Sequence, residues 1–173
     1  RHIWSPAYGA MSQKGNDRLI RAFAAFVRRN PAIKAALVML EYGPDVERSR
    51  ALVAELGIEE NVTWLPLMAR KEVFLGISQA DIVCGEFAQS WNFGGTIIEG
   101  IALAKPLLHF RKDSLYPKED LFPIINVYTA EEMTDGMERY MADRDGFKKM
   151  GHEAYTWFRT RILEGSIDRY TEL

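Results

Sequence analysis

The chain has 173 residues, 47% hydrophobic and 27% charged, and its 22 Lys and Arg against 24 Asp and Glu leave a formal net charge of −2. That apolar share excludes a disordered chain, and the balanced charge gives no electrostatic footing for nucleic-acid binding. One cysteine, Cys84, excludes an intrachain disulfide and an all-cysteine zinc site, and no apolar run reaches the roughly 20 residues that span a bilayer.

Taken in order, short apolar runs alternate with amphipathic stretches. Ile3 to Ala7 reads as a first strand. Asn16 to Arg29 places Leu19, Ile20, Phe23, Phe26 and Val27 on one helical face and ends before Pro31, because a residue preceding proline is pushed out of the α region. Ala36 to Leu40 is continuously apolar, the pattern of a strand covered on both faces. Asp45 to Leu56 is a helix that stops at Gly57, Asn61 to Leu65 a strand, and Lys71 to Ala80 a helix with Val73, Phe74 and Ile77 inward.

The second half repeats the pattern. Asp81 to Cys84 is a buried strand, Thr96 to Ala104 a helix, Leu107 to Phe110 a strand, and Ile124 to Val127 a weaker one. Helices at Glu131 to Ala142 and Phe147 to Leu163 close the chain, the first with Met133, Met137 and Met141 as core packing, the second with Trp157 and Phe158 on a large apolar face. That face is expected either to stay on its own core or to cross to another domain. Strands alternating with helices predict a single α/β domain, a Rossmann-like doubly wound parallel sheet of about six strands with C-terminal helices.

In an open parallel sheet, ligands sit beyond the C-terminal strand ends. Two loops there suit a phosphate. One is Tyr8 to Gly15, which carries Lys14 just before a helix; the other is Trp91-Asn92-Phe93-Gly94-Gly95-Thr96, which leads into the helix of Glu99. Glycines allow close backbone approach, and free N–H groups at a helix start favour an anion. Glu99 offers two acceptor oxygens to a ribose diol. Each feature also has a plainer reading: a tight strand-to-helix connection for Gly94-Gly95, a first-turn acid favoured by the helix dipole for Glu99, a solvated loop lysine for Lys14.

The residues resemble a known family. Lys14-Gly15-Asn16-Asp17, Leu56-Gly57-Ile58, Asn61 to Pro66, Ala80 to Val83, and above all Phe93-Gly94-Gly95-Thr96-Ile97-Ile98-Glu99-Gly100 followed by Lys105-Pro106 look like the C-terminal, nucleotide-sugar-binding domain of a retaining family 4 (group 1) glycosyltransferase of the GT-B fold. The resemblance covers nearly the whole chain in order. It implies a UDP- or GDP-sugar donor, bound without a metal or other cofactor. It implies Lys14 on the diphosphate, Glu99 on the ribose hydroxyls, Gly94, Gly95 and Thr96 on the phosphates with Trp91, Asn92 and Phe93 beside them, and Leu67 and Met68 by the base.

It also implies that this chain, which opens on Arg1, is a fragment whose N-terminal acceptor domain lies elsewhere, in a cytoplasmic protein with room for peripheral contact at the inner membrane face through that domain. The isolated domain is then expected to be inactive alone.

Two departures stand out. The first glutamate of the family's E-x7-E pattern falls at Trp91, and the arginine expected about six residues before Lys14 is missing, with Tyr8 and Gly9 in its place. Glu86 or Gln89 is then the nearest substitute for the carboxylate, although Glu86 reads more simply as a loop charge; Arg111 and Lys112 are the candidate substitutes for the cation. The competing functions are a degenerate module that serves protein assembly without catalysis, favoured by these departures, and a nucleotide-sugar epimerase. Asp143-Arg144-Asp145 mimics a metal-binding D-x-D but sits between helices, and His2, His109 and His152 lack metal-ligand spacing. His109, on an apolar strand, reads as a satisfied core residue and Cys84 as an inert small hydrophobe.

Overall fold

The computed structural model describes residues 1–165. Five parallel strands alternate with helices: α1 (Asn16–Arg29), β1 (Leu37–Leu40), α2 (Val46–Glu55), β2 (Val62–Leu65), α3 (Arg70–Gln79), β3 (Val83–Cys84), α4 (Gly95–Ala102), β4 (Leu107–His109), β5 (Ile125–Asn126), α5 (Ala130–Ala142) and α6 (Arg144–Phe158), which continues as a π-helical turn over Arg159–Glu164. β1 pairs with β2, Leu37 opposite Val62, and β3, β4 and β5 form a second parallel group. One cluster of buried side chains joins the two groups: Leu37 and Met39 of β1, Leu108 and Ile125 of β4 and β5, and Ile20, Phe23 and Phe26 of α1.

The expected first strand at Ile3 to Ala7 does not form, which leaves five strands where about six were predicted. The backbone there has a different partner. The Trp4 and Ser5 N–H groups donate to the carboxylate of Asp45 (2.7 and 2.8 Å), and Pro6 has no N–H to give to a ladder. The Asp45 carboxylate is itself buried, so these bonds satisfy it while they fix the segment beside the end of β1, where the His2 N–H donates to the Tyr42 carbonyl.

Two further expectations change. β1 is covered on one face only, because Val38 is 57% exposed. α3 buries no residue completely, and Val73, Phe74 and Ile77 are half-buried. The methionine row behaves as predicted, with Met133 and Met137 buried under α1 and the sheet. The aromatic face of α6 stays on its own domain: Phe158 is buried, and Trp157 lies 4.9 Å from Phe122, centroid to centroid, while its Nε1–H donates to the Glu119 carbonyl. Asp143 of the D-x-D mimic caps α6 by accepting from the Gly146 N–H at 2.9 Å, and Asp145 faces solvent beside Lys148.

Candidate functional site

The segment that leads into α1 and the loops after β3 and β2 supply the candidate site. The first ends at Lys14. Gly15 follows with φ +74°, and a Cβ there would stand 3.0 Å from both the Ala88 nitrogen and the Phe87 Cβ, so only glycine turns the chain into α1 at this point. The Phe87 N–H donates to the Lys14 carbonyl (2.9 Å) and the Lys14 N–H to the Ile3 carbonyl (2.7 Å). With its backbone pinned from both sides, Lys14 sends its ammonium to Glu86, Nζ to Oε1 2.6 Å, and lies 5.9 Å from the centre of the Trp91 ring.

The second loop runs from β3 to α4, and His109 organises it. This imidazole is fully buried on β4. Its Nδ1 accepts from the Glu86 N–H at 3.0 Å, which leaves the proton on Nε2 to donate to the Trp91 carbonyl at 2.6 Å. Burial lowers its pKa, so it stays the neutral imidazole that this pair of bonds requires. Gly85 makes the approach possible: a Cβ there would fall 2.6 Å from His109 Nδ1. The sequence reading of His109 as a satisfied core residue is right, and incomplete. It fixes the backbone of both Glu86 and Trp91.

Glu86 is therefore no free loop charge. Its Oε1 lies 3.7 Å from where a Cβ on Gly94 would stand, which places the Lys14–Glu86 pair against the start of α4. Gly94 is extended, Gly95 opens the helix, and both Gly95 and Thr96 are exposed. Asn92 is committed elsewhere: its amide donates to the Asp120 carbonyl (3.1 Å) and accepts from Arg111 (3.4 Å). Phe93 packs on Phe122 and Trp157. These two residues hold the loop to the domain, while the glycines and Thr96 stay open.

Arg111 is not the missing cation. It is 4% exposed, and its guanidinium donates to Asp113 (2.7 Å), the Phe122 carbonyl (2.9 Å) and Asn92, over the face of Phe122. The third loop brings another cation to α4. Leu67 is 66% exposed and Met68 half-buried, and at the end of their loop Arg70 opens α3. Its guanidinium donates to Glu99 Oε1 at 2.9 Å; the Glu99 side chain is 10% exposed and that of Arg70 72%. Sequence reasoning missed Arg70, although the loop that carries it was among those at the strand ends.

The region thus holds two ion pairs, Lys14–Glu86 beside Gly94 at the start of α4 and Arg70–Glu99 one turn into the same helix. Among the described residues, no three His, Cys, Asp or Glu side chains converge as a metal site, and no helix is long and apolar enough to cross a membrane. A concavity of about 240 Å³ lined by Asp81, Lys105, Tyr140 and His152 lies at the opposite, N-terminal end of β3 and β4, away from all of these groups.

The comparisons with known proteins bear on family and fold. The family described as glycosyl transferases group 1 matches residues 8–157. A D-inositol 3-phosphate glycosyltransferase of Nocardia farcinica is 28% identical over 172 residues, and a second, of Saccharomonospora viridis, is 31% identical over 109. The alignments cover 91% and 59% of this chain but 38% and 25% of those relatives, so the chain spans less than half of their length.

Among solved structures, the C-terminal domain of a group 1 family glycosyl transferase (LpcC) from Francisella tularensis superposes with a TM-score of 0.68 at 18% identity over 85% of this chain and 78% of its own. Anabaena Alr3699/HepE, solved with UDP, gives 0.72 at 16% identity over 92% of this chain and 46% of its own. At those identities the likeness is one of fold, and it bears out the α/β reading of the sequence. The family match over most of the chain goes further: this chain belongs to the glycosyl transferases group 1 family.

Proposed function

We propose that this chain is the donor-binding part of a glycosyltransferase and takes a nucleoside diphosphate sugar, of UDP or GDP type, at the Lys14–Glu86 and Arg70–Glu99 site. The observation that carries this reading is the pairing itself. Lys14 and Arg70 each have a carboxylate partner, so their charges are balanced within the protein, and a ligand that carries both phosphates and hydroxyls exchanges with both pairs at once. Phosphate oxygens go to Lys14, Arg70 and the free N–H groups at Gly95 and Thr96, while hydroxyls go to the released carboxylates. Glu99, one turn into α4, takes the ribose diol, and Leu67 and Met68 lie on the loop that faces the base.

In the transfer reaction, negative charge grows on the diphosphate as the glycosidic bond breaks. Lys14 and Arg70, already placed, stabilise that charge without a metal. This assigns to Arg70 the role of the arginine absent before Lys14. The acceptor hydroxyl comes from a separate N-terminal domain, so this chain alone binds the donor and transfers little, and retention of the sugar's configuration follows the family. The HepE structure solved with UDP and the inositol phosphate glycosyltransferase relatives support this reading.

A thermal-shift panel of UDP, GDP and their sugars tests it. Binding to the native state raises the melting temperature with ligand concentration. A rise with one base series, lost in Glu99→Ala, is the expected result; a flat response to every nucleotide contradicts the proposal.

A further inference from the structure

The concavity at the N-terminal ends of β3 and β4 takes no part in donor binding, yet basic side chains gather on it. Its lining comes from separate elements: Asp81 ahead of β3, Lys105 in the turn between α4 and β4, Tyr140 of α5, and Lys148 and His152 of α6. Gly151 lets α6 sit against that turn, because a Cβ there would overlap the Ala104 carbonyl. Ala104 is itself held at φ +53°, the left-handed position after a helix that glycine usually fills. Lys148 and His152 are four residues apart, so they share one face of α6, and both line the concavity with Lys105.

The charges there are not balanced within the protein, unlike those of Lys14 and Arg70. Asp81 is the one acid of the lining, and among the described residues it pairs with none of the three basic side chains. It accepts instead from the Tyr140 hydroxyl at 3.1 Å. Lys148 has only a solvent-exposed pair with Asp145 at 3.8 Å, which water screens, and Lys105 has no ion-pair partner among the described residues.

From this convergence we infer that the concavity is a second ligand site, separate from the donor region, and that it takes a small phosphate monoester carrying hydroxyl groups. Phosphate oxygens accept from the two ammonium groups and from a ring N–H of His152. One Asp81 oxygen is committed to Tyr140, and the other is left to accept a hydroxyl of the same ligand. The carboxylate repels a bare phosphate dianion, so it favours an ester that brings a hydroxyl with it. A volume of about 240 Å³ suits a phosphate on a short polyol and is too small for a nucleotide sugar.

NMR titration of the isotope-labelled chain tests this, with glycerol 3-phosphate, inorganic phosphate and sodium chloride at matched ionic strength. The expected result is saturable shifts at residues 104–106 and 148–152 with glycerol 3-phosphate, about fivefold weaker with inorganic phosphate and absent with chloride. Lys105→Ala and Lys148→Ala should each weaken glycerol 3-phosphate about tenfold, and Asp81→Asn should bring the two phosphates to similar affinity. Lys148 is exposed on its helix, so Lys148→Ala keeps the melting temperature and reads binding alone. Shifts that do not saturate, that chloride reproduces, or that persist in both lysine variants would overturn the proposal. Saturable shifts confined to Gly95 and Thr96 would overturn it too, while leaving the donor-site reading in place.

Discussion

Arg70 donates to Glu99 across 2.9 Å and so ties the first residue of α3 to the second turn of α4. The pair is asymmetric. The carboxylate is nearly buried on its helix, while the guanidinium is largely exposed. On the proposed reading, a ribose diol meets a Glu99 carboxylate already in place and displaces an exposed guanidinium. If Glu99 takes that diol, replacing it removes the preference for the 2′-hydroxyl. We expect wild type to bind UDP about tenfold or more tightly than 2′-deoxy-UDP, and Glu99→Gln to bind the two alike, as read by calorimetry.

Arg111 makes a different kind of prediction. Its buried guanidinium gathers Asp113, Asn92 and the Phe122 carbonyl, and removing it strands two acceptors in the interior. Arg111→Met is expected to lower unfolding stability by about 2–4 kcal/mol in urea titration. Arg111→Lys recovers little of this, because a single ammonium does not reproduce the planar fork.

His2 and His109 set a pH dependence. Burial lowers both pKa values, that of His2 to about 4, so each is neutral in the folded chain where the unfolded chain binds a proton near pH 6.5. The unfolded state then holds more protons below pH 6.5, and stability falls as the pH drops from 6.5 towards 4. His2 contributes a slope of up to about 1.4 kcal/mol per pH unit in that window, and His109 acts in the same direction below pH 6.5. Unfolding midpoints compared at pH 7.0 and 5.2, above the range where carboxylates protonate, are expected to show the loss. His2→Phe should flatten the slope.

Desolvation pushes the half-buried Cys84 thiol up to about 12, which disfavours the thiolate. The native chain is expected to leave it unmodified by maleimide at pH 7.5, and urea to expose it to stoichiometric labelling.

Much of the architecture was legible because periodicity reports burial. α1 was read residue for residue, and the strand–helix alternation placed Gly94, Gly95 and Glu99 just beyond the end of β3. The misreadings have local causes. Ile3 to Ala7 carries a strand-like composition, but its amides go to the Asp45 side chain, a partner 40 residues away that no pattern shows. Val38 sits in an apolar run that looks covered on both faces, yet the sheet has an open side there.

At the site, Arg70 was missed and Glu86, named as a substitute carboxylate, was read more simply as a loop charge, both for the same reason. Their pairing partners lie 29 and 72 residues away in the chain, and charge pairing across loops leaves no trace in spacing. Arg111, chosen as a cation because it is basic and near the loop, turned out to be enclosed by three acceptors.

The central claim is that a nucleoside diphosphate enters by exchanging with the two ion pairs. Titration of UDP and GDP into wild type and Lys14→Ala measures this most directly. The account predicts saturable one-to-one binding of one of them, weakened about tenfold or more in Lys14→Ala and falling with added salt. No saturable binding, or equal affinity in the two proteins, would contradict it.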